Sequence, residues 1–365
     1  MTNHELLRYR GSMPRSTNAL QQWHSLSPGE APLEPDLPIV DSHHHLFGSE
    51  TDHHYYRKSD LQQDIAGGHN IVATVYTEGL RSGWKPNGDA HLRPVGEVEM
   101  IARESRAPLK TSHGPCYIAA GIVAHADLTL GSRVSEVLEA HQSASNGKLR
   151  GIRHQAAYDE GPVGRFSSAM PKSPILGSPS YEDGLKELGK HGLSFDAWVY
   201  HHQLGEFIRL VDRFPEQPTV LNHVGGLIMV GKSESERAES FSQWRAAIFE
   251  LAKRPNVSVK IGGMGMAMFG FGFEDYLRPA SSEHLANGWK PLIEICIEAF
   301  GTTRCMFESN FPVDKHSCGY TELWNAFKIC THSMSPDERS DLFFHSACRF
   351  YRISITGDSD AAASN

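Results

Sequence analysis

The sequence predicts an α/β fold, a (β/α)8 barrel carrying an N-terminal arm and long loops after several strands. Short apolar, β-rich runs recur along the chain with helical stretches between them, which is the alternation expected of parallel βαβ units. There are eight such runs, each followed by a helix. Ionisable residues also gather at the C-terminal end of nearly every run, where a barrel of this kind builds its active site.

The first run, Pro38-Ile39-Val40, breaks into Asp41-Ser42-His43-His44-His45-Leu46-Phe47. Seven further runs are read at Ile71 to Thr77, Tyr117 to Ala124, Leu149 to His154, Leu193 to Tyr200, Thr219 to Asn222, Val257 to Ile261 and Cys305 to Phe307. Helices are expected over Ser59 to Ala66, Val95 to Arg106, Ser132 to His141, Tyr181 to Lys190, Leu204 to Phe214, Glu236 to Lys253, Trp289 to Phe300 and Tyr320 to Cys330. A last helix, Pro336 to Phe350, opens with Ser335 as its N-cap. Residues 1–35 read as an arm, 36–352 as the barrel, and the small polar end 353–365 as a disordered tail.

Composition narrows the function class. With 365 residues and a formal charge of −8, the chain lacks the basic, aromatic-interleaved blocks of a nucleic-acid binder, so a small-molecule substrate is the expectation. The opening residues have no apolar signal core and no later run spans a bilayer, so a cytoplasmic protein with no membrane partner is expected, as a monomer or a homo-oligomer. Six scattered cysteines without a CxxC pair read as reduced core residues.

The DxHxH pattern carries the chemistry. Side chains alternate along a strand, so Asp41, His43 and His45 are expected on one face, with two imidazoles converging where a divalent ion would sit and Asp41 orienting them. Other strand ends offer Glu78 after the second, Arg153 and His154 after the fourth, His201 and His202 after the fifth, His223 after the sixth, Lys260 on the seventh, and Glu308 and Asn310 after the eighth. Any one of these is as readily structural as functional; their joint placement points to a site. Residues 262–273 mix glycines with Met264, Phe269 and further Met and Phe, which suits an apolar wall or lid, or packing under the barrel rim. Trp84 and Tyr158 are candidates for the same wall, and Gly161 to Ser180 is a second lid candidate.

The opening DSHHH, Gly151-Ile152-Arg153-His154, the stretch Phe195 to Leu204, Val220 to Gly225 and Met306 to Val313 together resemble the amidohydrolase superfamily. The resemblance is to the branch of sugar lactonases and 2-pyrone-4,6-dicarboxylate lactonase. It implies a distorted barrel in which His43, His45 and a fifth-strand histidine, taken as His201, hold one divalent ion, zinc or manganese, with His223 from the sixth strand beside it. Some members of the branch work without metal. The family's eighth strand usually reads Gly-Ser-Asp-Trp-Pro; here Asn310 replaces that aspartate, and an amide takes up no proton at neutral pH.

The expected reaction is therefore metal-assisted opening of a lactone, aromatic or apolar and carboxylated. In it Glu308 or His223 takes the water's proton, Asn310 orients, and Arg153 pairs with a substrate carboxylate or the developing oxyanion. His154, Glu78, Trp84, Tyr158, Lys260, Met264 and Phe269 are the further substrate-binding candidates. Two alternatives stand beside it: a metal-dependent decarboxylase of aromatic acids on the same fold, and a non-catalytic barrel with a degraded site. On the first reading, Asn310→Asp is expected to preserve or raise turnover.

Overall fold

A computed structural model describes residues 15–79, 81–165 and 170–355. The expected lid over 161–180 lies partly, and the expected tail almost wholly, outside these residues. All eight expected strands form, as β1 (Ile39–His44), β2 (Ile71–Thr77), β4 (Gly114–Ala124), β5 (Leu149–Ile152), β6 (Ser194–Ala197), β7 (Thr219–Leu221), β8 (Val257–Ile261) and β9 (Cys305–Phe307). They pair in parallel in that order, and one short strand not anticipated, β3 (Leu109–Thr111), joins β4 as an antiparallel hairpin.

The strands are buried on both faces, which is why they read as continuous apolar runs. One cluster, with Val40, Ala73, Val75, Val123, Val220 and Met306, fills the barrel and is closed off by Phe344, Ala347 and Tyr351 of the last helix. The larger cluster lies between strands and helices. The barrel closes beyond the end of β9, where His45 N–H donates to Phe311 O at 2.8 Å and Asn310 N–H to His43 O at 2.9 Å. This seam sets the first and last strand ends side by side.

The helices start and stop near the expected positions, with two differences. The helix expected from Trp289 begins at Ser282, capped by the Ser281 side chain, because Leu285 and Ala286 extend its buried stripe by two turns. The last helix runs Pro336–Ser340 and Ser346–Tyr351 with a π-helical turn between, and Ser335 caps it as expected. Within the arm, Leu20 and Trp23 are buried and Trp23 Nε1–H donates to Tyr276 O at 2.9 Å, so residues 17–24 dock on the barrel. No helix of the described residues is long and apolar enough to cross a membrane. All six cysteines are free.

Candidate active site

Three histidines from two strand ends, His43 and His45 at the end of β1 and His223 after β7, meet at the barrel mouth. His43 Nε2 and His45 Nε2 lie 3.2 Å apart, and the His43 and His223 rings are 4.7 Å apart between centroids. His43 enters the barrel because β1 is irregular: its register against β2 shifts between Asp41 and His44. The alternation expected of the three DxHxH side chains is therefore broken. Asp41 points away from the histidines, and its carboxylate accepts from His43 N–H (3.2 Å), Ser309 N–H (2.8 Å), Ser309 Oγ (2.6 Å) and the Tyr320 hydroxyl (3.0 Å). It anchors β1 to the eighth-strand end and does not share the pocket. Burial raises its pKa to about 6.

Each ring's outer nitrogen faces acceptors. His45 Nδ1 lies 2.9 Å from Thr77 O and 3.1 Å from Glu78 O, which fixes its proton there and leaves Nε2 as a lone pair. His223 Nδ1 lies 2.6 Å from Glu308 Oε1, which also accepts the His223 backbone N–H at 3.1 Å. Glu308 Oε2 is 3.0 Å from His43 Nδ1, although off the line of a good hydrogen bond. Glu308 thus sits behind His43 and His223 as a shared carboxyl group, wholly buried, where burial pushes its pKa up to about 8. Burial also holds all three histidines below their usual range, His45 at about 3, so they are neutral at pH 7.

Two cations flank His43, each with its own carboxylate. Arg153 donates from Nε to Glu78 Oε1 (2.7 Å) and from Nη2 to Glu78 O (2.8 Å), with Nη1 3.3 Å from His43 Nε2. Lys260, completely buried, pairs with Asp196 Oδ2 at 2.9 Å and lies 3.3 Å from His43 Nδ1. Asp196 also accepts from the Tyr351 hydroxyl at 2.7 Å. Trp198 packs edge-on to His223 at 4.7 Å.

The backbone is bent to present His223. His223 and Val224 take φ of 52° and 47°, a region that a β-branched valine rarely enters, and Trp244 Nε1–H holds Val224 O at 2.7 Å. Gly262 and Gly263 make room: a Cβ at 262 would strike Glu308, and one at 263 would strike the His223 ring.

Among the described residues, His43, His223 and Glu308 are the group whose donor atoms converge closely enough to hold an ion, all within 4.8 Å of one another. His201, the expected fifth-strand ligand, is not in that group. Its Nδ1 accepts the Ile228 N–H at 3.3 Å, because the chain turns after β6 into the short helix His201–Gln203 and carries the ring onto the next loop. His202 is exposed, with Nε2 3.0 Å from Tyr158 O.

The remaining candidates divide between mouth and scaffold. Glu78 is Arg153's partner. His154 faces the neighbouring strand end, accepting Leu128 N–H at 3.1 Å and packing on Tyr181. Trp84 donates to Glu97 at 2.9 Å, and the Tyr158 hydroxyl to Glu160 at 3.3 Å. Met264 and Phe269 are buried, and Phe269, Phe271 and Phe273 stack in series, so the 262–273 loop packs as a fixed rim. Asn310 Nδ2 donates to Asp314 Oδ1 at 2.8 Å. Sequence reasoning passed over Asp196, Trp198, Glu97 and Asp314. Period-two alternation could have found the first two, which sit two apart in Phe195 to Tyr200.

An amidohydrolase family model matches residues 40–353. An uncharacterised protein of Sinorhizobium fredii is 30% identical over 329 residues, covering 87% of this chain and 99% of its own. An L-fucono-1,5-lactonase of Burkholderia multivorans is 27% identical over 325 residues, covering 87% and 97%. A crystal structure of a zinc-bound amidohydrolase from Burkholderia multivorans superposes with a TM-score of 0.65 at 22% identity, covering 87% and 99%.

Proposed function

Because the chain belongs to the amidohydrolase family and is a hydrolase of that family, we propose that its reaction is the opening of an uncharged cyclic ester at the mouth formed by His43, His45 and His223. The observation that carries this is the arrangement of the rings. His45 Nδ1 faces Thr77 O and Glu78 O and His223 Nδ1 faces Glu308 Oε1, which leaves the Nε2 lone pairs of these two rings for a ligand, while His43 stands between them with Arg153 Nη1 beside its Nε2.

That donor set fits a divalent ion. Two Nε2 atoms 3.2 Å apart match imidazoles sharing one ion at bonds of about 2.0–2.1 Å. His43 and His45 would hold it through Nε2, because the Glu308 oxygen nearest His223 is already filled by two N–H groups. When bound, such an ion polarises a lactone carbonyl and acidifies a water.

The chain's own residues supply the rest. His223, neutral and steadied through Nδ1 by Glu308, takes the water's proton at Nε2 and returns it to the leaving alkoxide. Glu308 is a positioning carboxylate in this scheme; buried behind two rings, it is not the base. Arg153 Nη1, the guanidinium corner that Glu78 leaves free, steadies the oxyanion.

Charge supports a reading of the substrate class. Arg153 and Lys260 are each matched by a carboxylate, which favours a neutral lactone over the carboxylated substrate expected from the sequence. A named lactonase among the relatives supports the same reading. The test is acid release from a panel of neutral sugar 1,5-lactones, neutral aromatic lactones and a dicarboxylated pyrone, with carbon dioxide measured alongside. Turnover of a neutral lactone, lost on chelation and restored by zinc, is expected. Selective turnover of the dicarboxylate, or carbon dioxide release from an aromatic acid, would overturn it.

A further inference from the structure

We propose that Glu97 is a positioning residue of this site, acting through the peptide Thr77-Glu78-Gly79 that ends β2. The inference rests on the reading of His45 as a ligand. Glu97 lies in the first turn of the helix Val95–Glu104, on the same buried stripe as Val95, Val98 and Ile101, where an apolar side chain would be ordinary. Its carboxylate takes three donors instead: the Tyr76 hydroxyl (2.5 Å) and Gly79 N–H (2.7 Å) on Oε1, and Trp84 Nε1–H (2.9 Å) on Oε2. Burying a carboxylate is costly, so this arrangement secures something a leucine would not.

What it secures is the seat of two site residues. Thr77 O and Glu78 O take the His45 Nδ1 proton, and Glu78 gives Arg153 both its carboxylate and its carbonyl. Gly79 closes on His45 so tightly that a Cβ there would come within 3.3 Å of the His45 Cβ. From the strand side, Glu78 N–H is held by Val123 O at 2.9 Å. From the loop side, Glu97 is the holder, and Trp84 brings the rest of the loop onto the same carboxylate. A shift of this peptide would release the His45 tautomer and the Arg153 angle together.

Glutamine at 97 keeps one acceptor oxygen but turns an NH2 toward the Trp84 N–H, two donors facing each other. In Glu97→Gln, zinc affinity measured by chelator competition is expected to fall tenfold or more, within the range for removal of an outer hydrogen-bond partner of a ligand. The His45 ring, read by 15N NMR on metal-free protein, is expected to lose its pure Nδ1–H tautomer. Adding Trp84→Phe removes the opposed donor and is expected to restore part of both. Circular dichroism confirms folding, and Trp84→Phe alone is the milder variant if Glu97→Gln unfolds. An unchanged His45 tautomer and zinc affinity within twofold of wild type would overturn the proposal. Wild-type protein that binds no zinc, with a His45 tautomer that still answers to Glu97, would overturn the metal reading and uphold the positioning role.

Discussion

Glu308 holds His223 by a hydrogen bond and lies 3.0 Å from His43, and glutamine can offer an oxygen to only one of the two rings. In Glu308→Gln the single carbonyl oxygen can stay on His223 or turn to the His43 side, and in the second case the NH2 faces His223 Nδ1, forcing that proton onto Nε2 and closing its lone pair. We expect kcat/KM and zinc affinity to fall together by about 10–100-fold; a fall in kcat/KM at full zinc affinity would restore Glu308 as the base. Asn310 is a different case, since its amide donates to the buried Asp314, whose pKa burial raises to about 8. Asn310→Asp removes that donor and sets two carboxyls together, so the expectation from sequence that it preserves turnover is replaced by a loss of stability of about 1–3 kcal/mol at pH 8. The loss shrinks at pH 5, where Asp314 carries a proton that it can donate to the new carboxyl. Urea denaturation of the variant at the two pH values checks this, and a cost independent of pH would refute it.

The turn after β7 and the glycines after β8 work as one element, because the bent backbone at His223 and Val224 brings the ring against a chain that has no side chain at 263. Gly263→Ala adds a methyl group into that ring at a position whose φ is 66°. It is expected to displace His223 and reduce turnover at least tenfold, whereas Gly272→Ala, with nothing within 4 Å of the added Cβ, bears only the backbone cost. Equal activity in the two would break the link between the turn and the site. Strands and helices were legible because burial on both faces writes apolar runs, and burial on one writes a stripe. The strand-end residues were legible as a set for the same topological reason. What could not be read was side-chain direction: one register shift in β1 turned Asp41 away, and a single helical turn after β6 carried His201 onto Ile228. Glu97 and Asp314 stayed hidden because each is held by a backbone N–H group from another segment, Gly79 and Gly265, which leaves no spacing in the sequence.

Across the whole molecule, buried titratable groups pull stability in two directions with pH. Nine histidines (His24, His44, His45, His54, His69, His125, His141, His154 and His201) are held by burial at about 3 to 4 against an ordinary 6.5. Between those values the unfolded chain binds more protons, so their contribution to stability grows as pH rises to 6.5 and is lost as pH falls. Glu97, Glu308 and Asp314 are raised by burial to about 8 from 4.5, 4.5 and 3.8. Over that interval the folded chain binds more protons, so they lower stability as pH rises toward 8. The histidines outnumber the carboxyls and dominate below 6.5; above it the unfolded histidines are mostly neutral and the carboxyls decide the slope. Urea denaturation of chelator-treated protein is therefore expected to give a maximum at about pH 6.5–7, with stability declining on both sides. Glu97→Gln removes one of the three groups responsible for the alkaline limb and should flatten it, while leaving the acid limb, which belongs to the histidines, as steep as in the wild type. A stability that climbs without a break through pH 8 would mean that the buried carboxyls are ionised in the fold, and that their hydrogen-bond donors and, at Glu308, the cations Lys260 and Arg153 outweigh burial.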